Sequence, residues 1–195
     1  MICKLKYGNT NTFFIKGTKG GILIDTDYAG TLQGFFGAIK RQNIGLNDIT
    51  YIIATHYHPD HIGIVSELMD YGLKLLAADC QTEYIHYSDH IFQRDPRLKY
   101  KPIDEKKITI IGCGESRGFL SALGIDGEII STPSHSPDSI SVILDSGDCF
   151  VGDLEPIEYL DAYESNEPLK NDWDKIMKYS PKRIYYAHAN EKIFE

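Results

Sequence analysis

Seven consecutive residues, Thr55-His56-Tyr57-His58-Pro59-Asp60-His61, constrain this chain more than any other stretch. They follow Tyr51-Ile52-Ile53-Ala54, an apolar run that reads as a buried strand. Residues two apart on an extended chain point the same way, so His56 and His58 offer their imidazoles to one side. Pro59 then turns the chain. Asp60 and His61 fall at the mouth of the next helix, within reach of a second point nearby. One short stretch can thus supply two adjacent metal positions. The whole chain has 7 histidines. Three of them crowd into this stretch, so a polar turn with chance histidines is the poorer account.

With 195 residues, one well-buried domain covering 1–195 is expected. The formal net charge of −8 argues against a polyanionic partner, and no nucleic acid is expected. Met1-Ile2-Cys3-Lys4-Leu5-Lys6-Tyr7 lacks the apolar stretch of a signal peptide, and no run reaches the length of a membrane span. Cys3, Cys80, Cys113 and Cys149 are scattered, with no C-x-x-C pair. The expectation is a cytoplasmic protein, off the membrane, whose cysteines are reduced and mostly small core residues.

Periodicity orders the rest. Residues 2–7 alternate as a half-buried strand, and Thr12 to Ile15 and Ile22 to Ile24 read as two more around a glycine-containing turn. Leu32, Phe35, Phe36 and Ile39 have helical spacing within 30–42. Ile62, Val65, Leu68 and Met69 repeat it, with Gly72 as the C-cap. A strand at 73–78, a helix over 81–93 and an irregular stretch at 94–107 follow. Strand patterns return at 108–111, 128–132, 139–144 and 149–151, with only a short apolar turn at Phe119 to Leu123 between the first two. A helix begins at Asp172, a candidate N-cap, and Ile184 to Ala187 is a last strand ending at His188. Two sheets packed face to face with helices outside suit this order.

Three later places repeat the pattern of an apolar strand ending in a ligand-type residue: His135, Asp153 and His188. Loops just beyond strand ends are where sites are usually built. The H-x-H-x-D-H run with separate His, Asp and His motifs resembles the metallo-β-lactamase-fold superfamily of metal-dependent hydrolases. The resemblance extends from Asp25 to His188. It implies an α/β fold, a four-layer αββα sandwich. It also implies that His56, His58 and His135 hold one metal, that Asp60, His61 and His188 hold a second, and that Asp153 bridges them. Asp25 matches the superfamily's strand-end aspartate, which orients a ligand histidine. Ser134 stands where the corresponding T-P-G-H-T segment has glycine.

Imidazole and carboxylate donors without thiolate suit two Zn²⁺, with Fe or Mn as alternatives. Two such ions about 3.5–4 Å apart lower the pKa of a shared water towards roughly 7. The bridged hydroxide would cleave a small ester, thioester, lactone or phosphodiester. Asp60 would orient it and pass a proton to the leaving group. True β-lactamases of the superfamily generally lack the aspartate at position 153 and most are exported, which argues against lactam hydrolysis. Glyoxalase-II-like members carry a C-terminal helical domain, and this chain ends soon after His188. Two alternatives stay open: a mononuclear-iron oxidoreductase like the persulfide dioxygenases, and a non-catalytic ligand-binding member. Residues 81–101, with Tyr84, Tyr87, His90, Arg94, Arg97 and Lys99, are the expected pocket wall. It is either a lid for a small anionic substrate or a solvated cover. Arg117 is a second anion-binding candidate, and Glu155-Pro156 is expected to shape the rim.

Overall fold

The computed structural model describes residues 1–162 and 165–194. Strands β1 (Ile2–Leu5), β2 (Thr12–Lys16) and β3 (Gly21–Ile24) form an antiparallel meander. Helix α1 (Leu32–Arg41) then crosses over to β4 (Ile49–Ile53). Helices α2 (Pro59–Ile62) and α3 (Val65–Asp70) lead to β5 (Lys74–Ala78), and α4 (Asp89–Phe92) lies on the way to β6 (Ile108–Ile111). The six strands lie in sequence order. β3 to β6 are mutually parallel, as such helical crossovers require. Helix α5 (Ser116–Ala122) precedes β7 (Gly127–Ser131), β8 (Ile140–Leu144) and β9 (Asp148–Phe150). Helix α6 (Glu167–Met177), β10 (Arg183–Tyr185) and β11 (Lys192–Ile193) complete a second sheet of order β11-β10-β9-β8-β7.

Side-chain alternation along the strands builds the layers. Leu23, Ile52 and Leu75 face outward to Phe35 and Ile39 of α1 and Leu68 of α3. Their neighbours Ile22, Ile24, Ile53 and Leu76 face inward, onto Ile129, Ile140, Val142 and Phe150 of the second sheet. Ile143, Cys149 and Ile184 on that sheet's far side meet Leu169, Trp173 and Ile176 of α6. Strands apolar on both faces read as continuous hydrophobic runs because each face has its own partner. The result is the expected α/β sandwich, with helices outside two packed sheets.

Three elements differ from expectation. The 81–93 segment is not one helix but a 3-10 turn over Asp79–Tyr84 followed by the single turn of α4. Within the first turn Gln81 points inward, where it accepts from Ala78 N and donates to Ala54 O and Asp138 O. The glycine-punctuated stretch before β7 holds a true helix, α5, whose Leu120 is buried between the sheets. Asp172 does not cap α6. Asn166 does, accepting from Leu169 N, whereas Asp172 lies inside the helix, buried, and accepts from Ser134 N at 2.7 Å. Of the cysteines, Cys149 is fully buried in the core, and Cys3, Cys80 and Cys113 are half-buried and pack against it from its margins.

Gly63, between α2 and α3, is where the helix carrying Asp60 and His61 meets the 27–29 loop. A Cβ there would stand 2.1 Å from Ala29 N and 2.3 Å from Tyr28 C. Backbone cannot yield as a side-chain tip can, so Gly63→Ala is expected to cost about 3 kcal/mol, at the upper end of overpacking costs. Gly114→Ala, with nothing within 4 Å, is the control and should change little. Urea denaturation of both variants reads the difference.

Candidate metal centre

Parallel pairing of β3 with β4 brings the two strand ends together, with Ile24 beside Ile53. Asp25, the residue just past β3, adopts φ +57, a left-handed conformation that aspartate tolerates better than most residues. From there its carboxylate accepts from Thr55 N at 2.7 Å and Thr55 Oγ1 at 2.9 Å, and it lies 3.1 Å from His61 Nδ1. Thr26 N and Oγ1 both donate to His61 O. Because the single Thr55 hydroxyl proton goes to Asp25, Thr55 Oγ1 is left to accept from His56 Nδ1, 3.2 Å away. That assigns the His56 tautomer and leaves the Nε2 lone pair directed outward. On the other side of the loop, Asp138 Oδ2 accepts from Tyr57 N at 2.7 Å.

The remaining donors arrive from the second sheet. Asp153 follows Gly152, which has φ +59; a Cβ there would stand 2.4 Å from Thr55 Oγ1, so glycine is required. His188 follows β10, and Asn11 pins its loop, with Nδ2 donating to Tyr186 O and Ala189 O and N donating to Ala187 O. His135 lies between Ser134, whose N–H is taken by Asp172, and Ser136, whose Oγ donates to Asp138. Serine fits the glycine position because Ser134 is not in the left-handed region. Asn11, Gln81, Asp138 and Asp172 thus hold the site, none of them singled out as supports from sequence. Only Asp138 had a local signal, inside the His135 motif.

All seven expected residues converge. His58 Nδ1 faces His56 Nε2 at 3.0 Å and His135 Nε2 at 3.2 Å. Asp153 Oδ2 lies 3.7 Å from both of those Nε2 atoms. The other oxygen, Oδ1, lies 3.4 Å from His61 Nε2 and 3.3 Å from His188 Nε2. His188 Nε2 is also 3.0 Å from Asp60 Oδ2. The donors therefore fall into two groups, His56-His58-His135-Asp153 and Asp60-His61-His188, with one Asp153 oxygen turned to each.

These spacings test whether metal ions fit. A tetrahedral ion with ligand bonds of about 2.0–2.1 Å sets its donors about 3.3 Å apart, close to the distances in both groups. His61 Nε2 and Asp153 Oδ1 are buried, and among the described residues neither has an aligned hydrogen-bond partner, despite their 3.4 Å approach. Two orphaned buried polar atoms facing each other are costly unless a cation satisfies both. The residues fit a pair of divalent ions.

Charge divides the groups in the metal-free protein. Burial, helped by the charge on His61, holds His56 well below the usual imidazole pKa, and burial also lowers His135. His56 and His135 of the first group are thus held as ready neutral donors. Burial also works against protonation of His61, but Asp25 and Asp153 outweigh it and raise that imidazole to about 10. The hydrogen bond to His188 holds Asp60 down to about 2 and raises His188 in turn. Burial alone would raise Asp153, yet His61 and its neighbours bring it to about 2. Cations entering the second group must displace protons.

The expected pocket wall is present only in part. Tyr87 is exposed and its ring stands 6.3 Å from that of His58. Arg97 is paired with Asp95, and His86 with Asp89 and Glu105. Arg117 is held by Asp145 and Glu128, so its charge is spent within the fold rather than offered to an anion. Glu155 and Pro156 line an open hollow of about 390 Å³ with Leu154, Tyr159, Asp153 and His188.

The model of the metallo-beta-lactamase superfamily matches residues 5–188, and the chain belongs to that superfamily of metallo-hydrolases. A probable metallo-hydrolase of Methanocaldococcus jannaschii is 32% identical over 75% of this chain and 68% of its own length. A beta-lactamase-like protein 2 homolog of Drosophila melanogaster is 26% identical over 93% of this chain, which spans 59% of that relative. An atrochrysone carboxyl ACP thioesterase of Pseudocercospora fijiensis is 27% identical over 77% of this chain and 38% of its own length. A metallo-beta-lactamase family protein of Thermus thermophilus shares the fold with TM-score 0.72 at 18% identity, covering 98% of this chain and 74% of that one. So does a protein solved in a di-iron-bound form, with TM-score 0.72 at 16% identity, covering 99% of this chain and 94% of that one. Among the described residues no helix is long and apolar enough to cross a membrane.

Proposed function

We propose that the chain is a dinuclear metal-dependent hydrolase of small ester or thioester substrates. His56, His58 and His135 would hold one divalent ion, Asp60, His61 and His188 the other, and Asp153 both. The observation that carries this reading is the division of the Asp153 oxygens between the two donor groups. When bound, the ions supply Lewis acidity and a water acidified to near neutrality. Zinc suits the donor set best, and the di-iron-bound structural neighbour keeps iron as the alternative. The thioesterase relative favours an acyl thioester over a phosphodiester.

The chain's own residues do the rest. The hollow beside Asp153 and His188, with Leu154, Pro156 and Tyr159 on its wall, would take the acyl portion. Tyr87, beside His58, would cover the opposite side. The Asp60 side chain is 37% exposed, and its carboxylate reaches both the donor group and the open face. It would hold the proton released by the attacking water and deliver it to the departing thiol or alcohol.

A panel of thioester, ester, lactone, phosphodiester and lactam substrates on protein loaded with Zn²⁺ or Fe²⁺ tests this reading. Thioester or ester turnover is expected. Asp60→Asn, which keeps the shape, should lower kcat by about 10²–10⁴-fold. Two metal equivalents with no hydrolysis of any panel member would sink the substrate reading. Turnover unchanged in Asp60→Asn would sink the role of Asp60.

A further inference from the structure

The ends of β5 and β6 bring together a second donor set of different chemistry. Ala78 and Ile111 are register partners on these parallel strands, so Asp79-Cys80 and Gly112-Cys113 leave the sheet side by side. An Asp79 carboxylate oxygen and the sulfurs of Cys80 and Cys113 all lie within 4.8 Å of one another. Both cysteines are free thiols, and their sulfurs face each other within that span. Asp79 Oδ1 accepts the Cys80 backbone N–H at 2.9 Å. Its Oδ2 lies 3.6 Å from where a Cβ on Gly112 would stand, on the approach to Cys113. Asp79 is exposed and both cysteines are half-buried, so the cluster is reached from solvent.

None of these residues contributes to the histidine and aspartate centre. Two sulfurs and a carboxylate around one point suit a thiophilic, borderline-soft cation. Zinc bonded to sulfur at about 2.3 Å in tetrahedral geometry spaces two thiolates about 3.8 Å apart, within the span of this cluster. A third donor from Asp79 distinguishes the arrangement from a bare dithiol, whose natural end is a disulfide. We propose that Asp79, Cys80 and Cys113 form a separate thiolate site for a thiophilic divalent cation such as Zn²⁺. On binding, each thiol loses its proton to solvent as its sulfur bonds the metal, and no electron is transferred.

The test is Co²⁺ titration of the reduced, metal-free 195-residue chain. Thiolate donors give a sulfur-to-cobalt charge-transfer band in the near ultraviolet that imidazole and carboxylate donors do not. The outcome is therefore independent of what the histidine centre binds or does. The band should saturate at the intensity of one thiolate-bound Co²⁺ per chain, beyond any Co²⁺ that the histidine centre takes up, vanish in Cys80→Ser and Cys113→Ser, and persist in Cys3→Ser and Cys149→Ser. Asp79→Asn should fold normally and weaken Co²⁺ binding at this band by about tenfold or more. No band in the reduced wild type, or a band that survives both serine variants, overturns the proposal. So does peptide mapping in a glutathione buffer that finds Cys80 and Cys113 joined as the resting state.

Discussion

Asp153→Ala is expected to leave the protein with no more than one tightly held metal ion and to cut turnover at least about 10³-fold. The side chain is only 17% exposed, and its two oxygens face different donor groups. Removing it takes one donor from each group at once. The first group keeps three imidazoles, two of which, His56 and His135, burial already favours in the neutral form, a set that can still hold an ion. The second keeps only Asp60, His61 and His188, and there the metal must compete with protons on His61 and His188. The second ion is therefore lost first, and the shared activation of water that depends on two ions goes with it. Elemental analysis after dialysis, beside kcat on the best substrate, reads both effects. Asp153→Asn separates charge from shape: it keeps an oxygen but carries no negative charge, and should retain at most a small part of the lost activity. Two ions still bound with turnover intact would show that Asp153 does not join the groups.

The convergence of the candidate donors was legible in sequence because four of them closely follow apolar strands, and strand ends on one edge of a sandwich converge. His56, His135, Asp153 and His188 obey that rule, and the residues placed by the turn after Pro59 follow from it. The sandwich was legible for a related reason. Runs such as Ile22 to Ile24 and Ile140 to Leu144 are apolar at nearly every position, which requires cover on both faces. What could not be read is whatever depends on contacts distant along the chain. Asn11 reads as one residue of a polar turn, yet it holds the His188 loop across 175 positions. Asp172 has the look of an N-cap, but its partner is Ser134 N, 38 residues away. Helix α5 was missed because Gly118 and the flanking glycines suppress its local signal, while packing of Leu120 between the sheets sustains it. Arg117 looked like an anion site only because Asp145 and Glu128, its partners, are remote in sequence.

Asp25→Asn is expected to be the most destabilising conservative change in the molecule, and to weaken the second metal without touching a donor. Asparagine tolerates the φ of +57 at this position, so backbone strain does not enter. What is lost is a buried negative charge that accepts from Thr55 N and Oγ1 and faces His61 Nδ1 at 3.1 Å. Breaking a buried pair by removing one charge costs about 3–5 kcal/mol, because the other stays behind uncompensated. In the metal-free protein that cost has a definite pH dependence. Asp25 and Asp153 raise His61 to about 10, against burial. The stabilisation from its proton is therefore complete below the ordinary histidine pKa of about 6.5 and disappears as pH rises through about 10. The penalty of Asp25→Asn should follow the same course, greatest in mild acid and least in alkali, and urea denaturation across that range measures it. With metal bound, His61 must be neutral and Nδ1 must carry the proton donated to residue 25. An asparagine oxygen can accept it, but without charge, so affinity at the second group should fall by about 10–100-fold while the first group is little changed. A pH-independent penalty would mean that His61 is not charged in the metal-free fold. Equal loss of both metals would mean that Asp25 acts by holding the whole loop rather than by orienting His61.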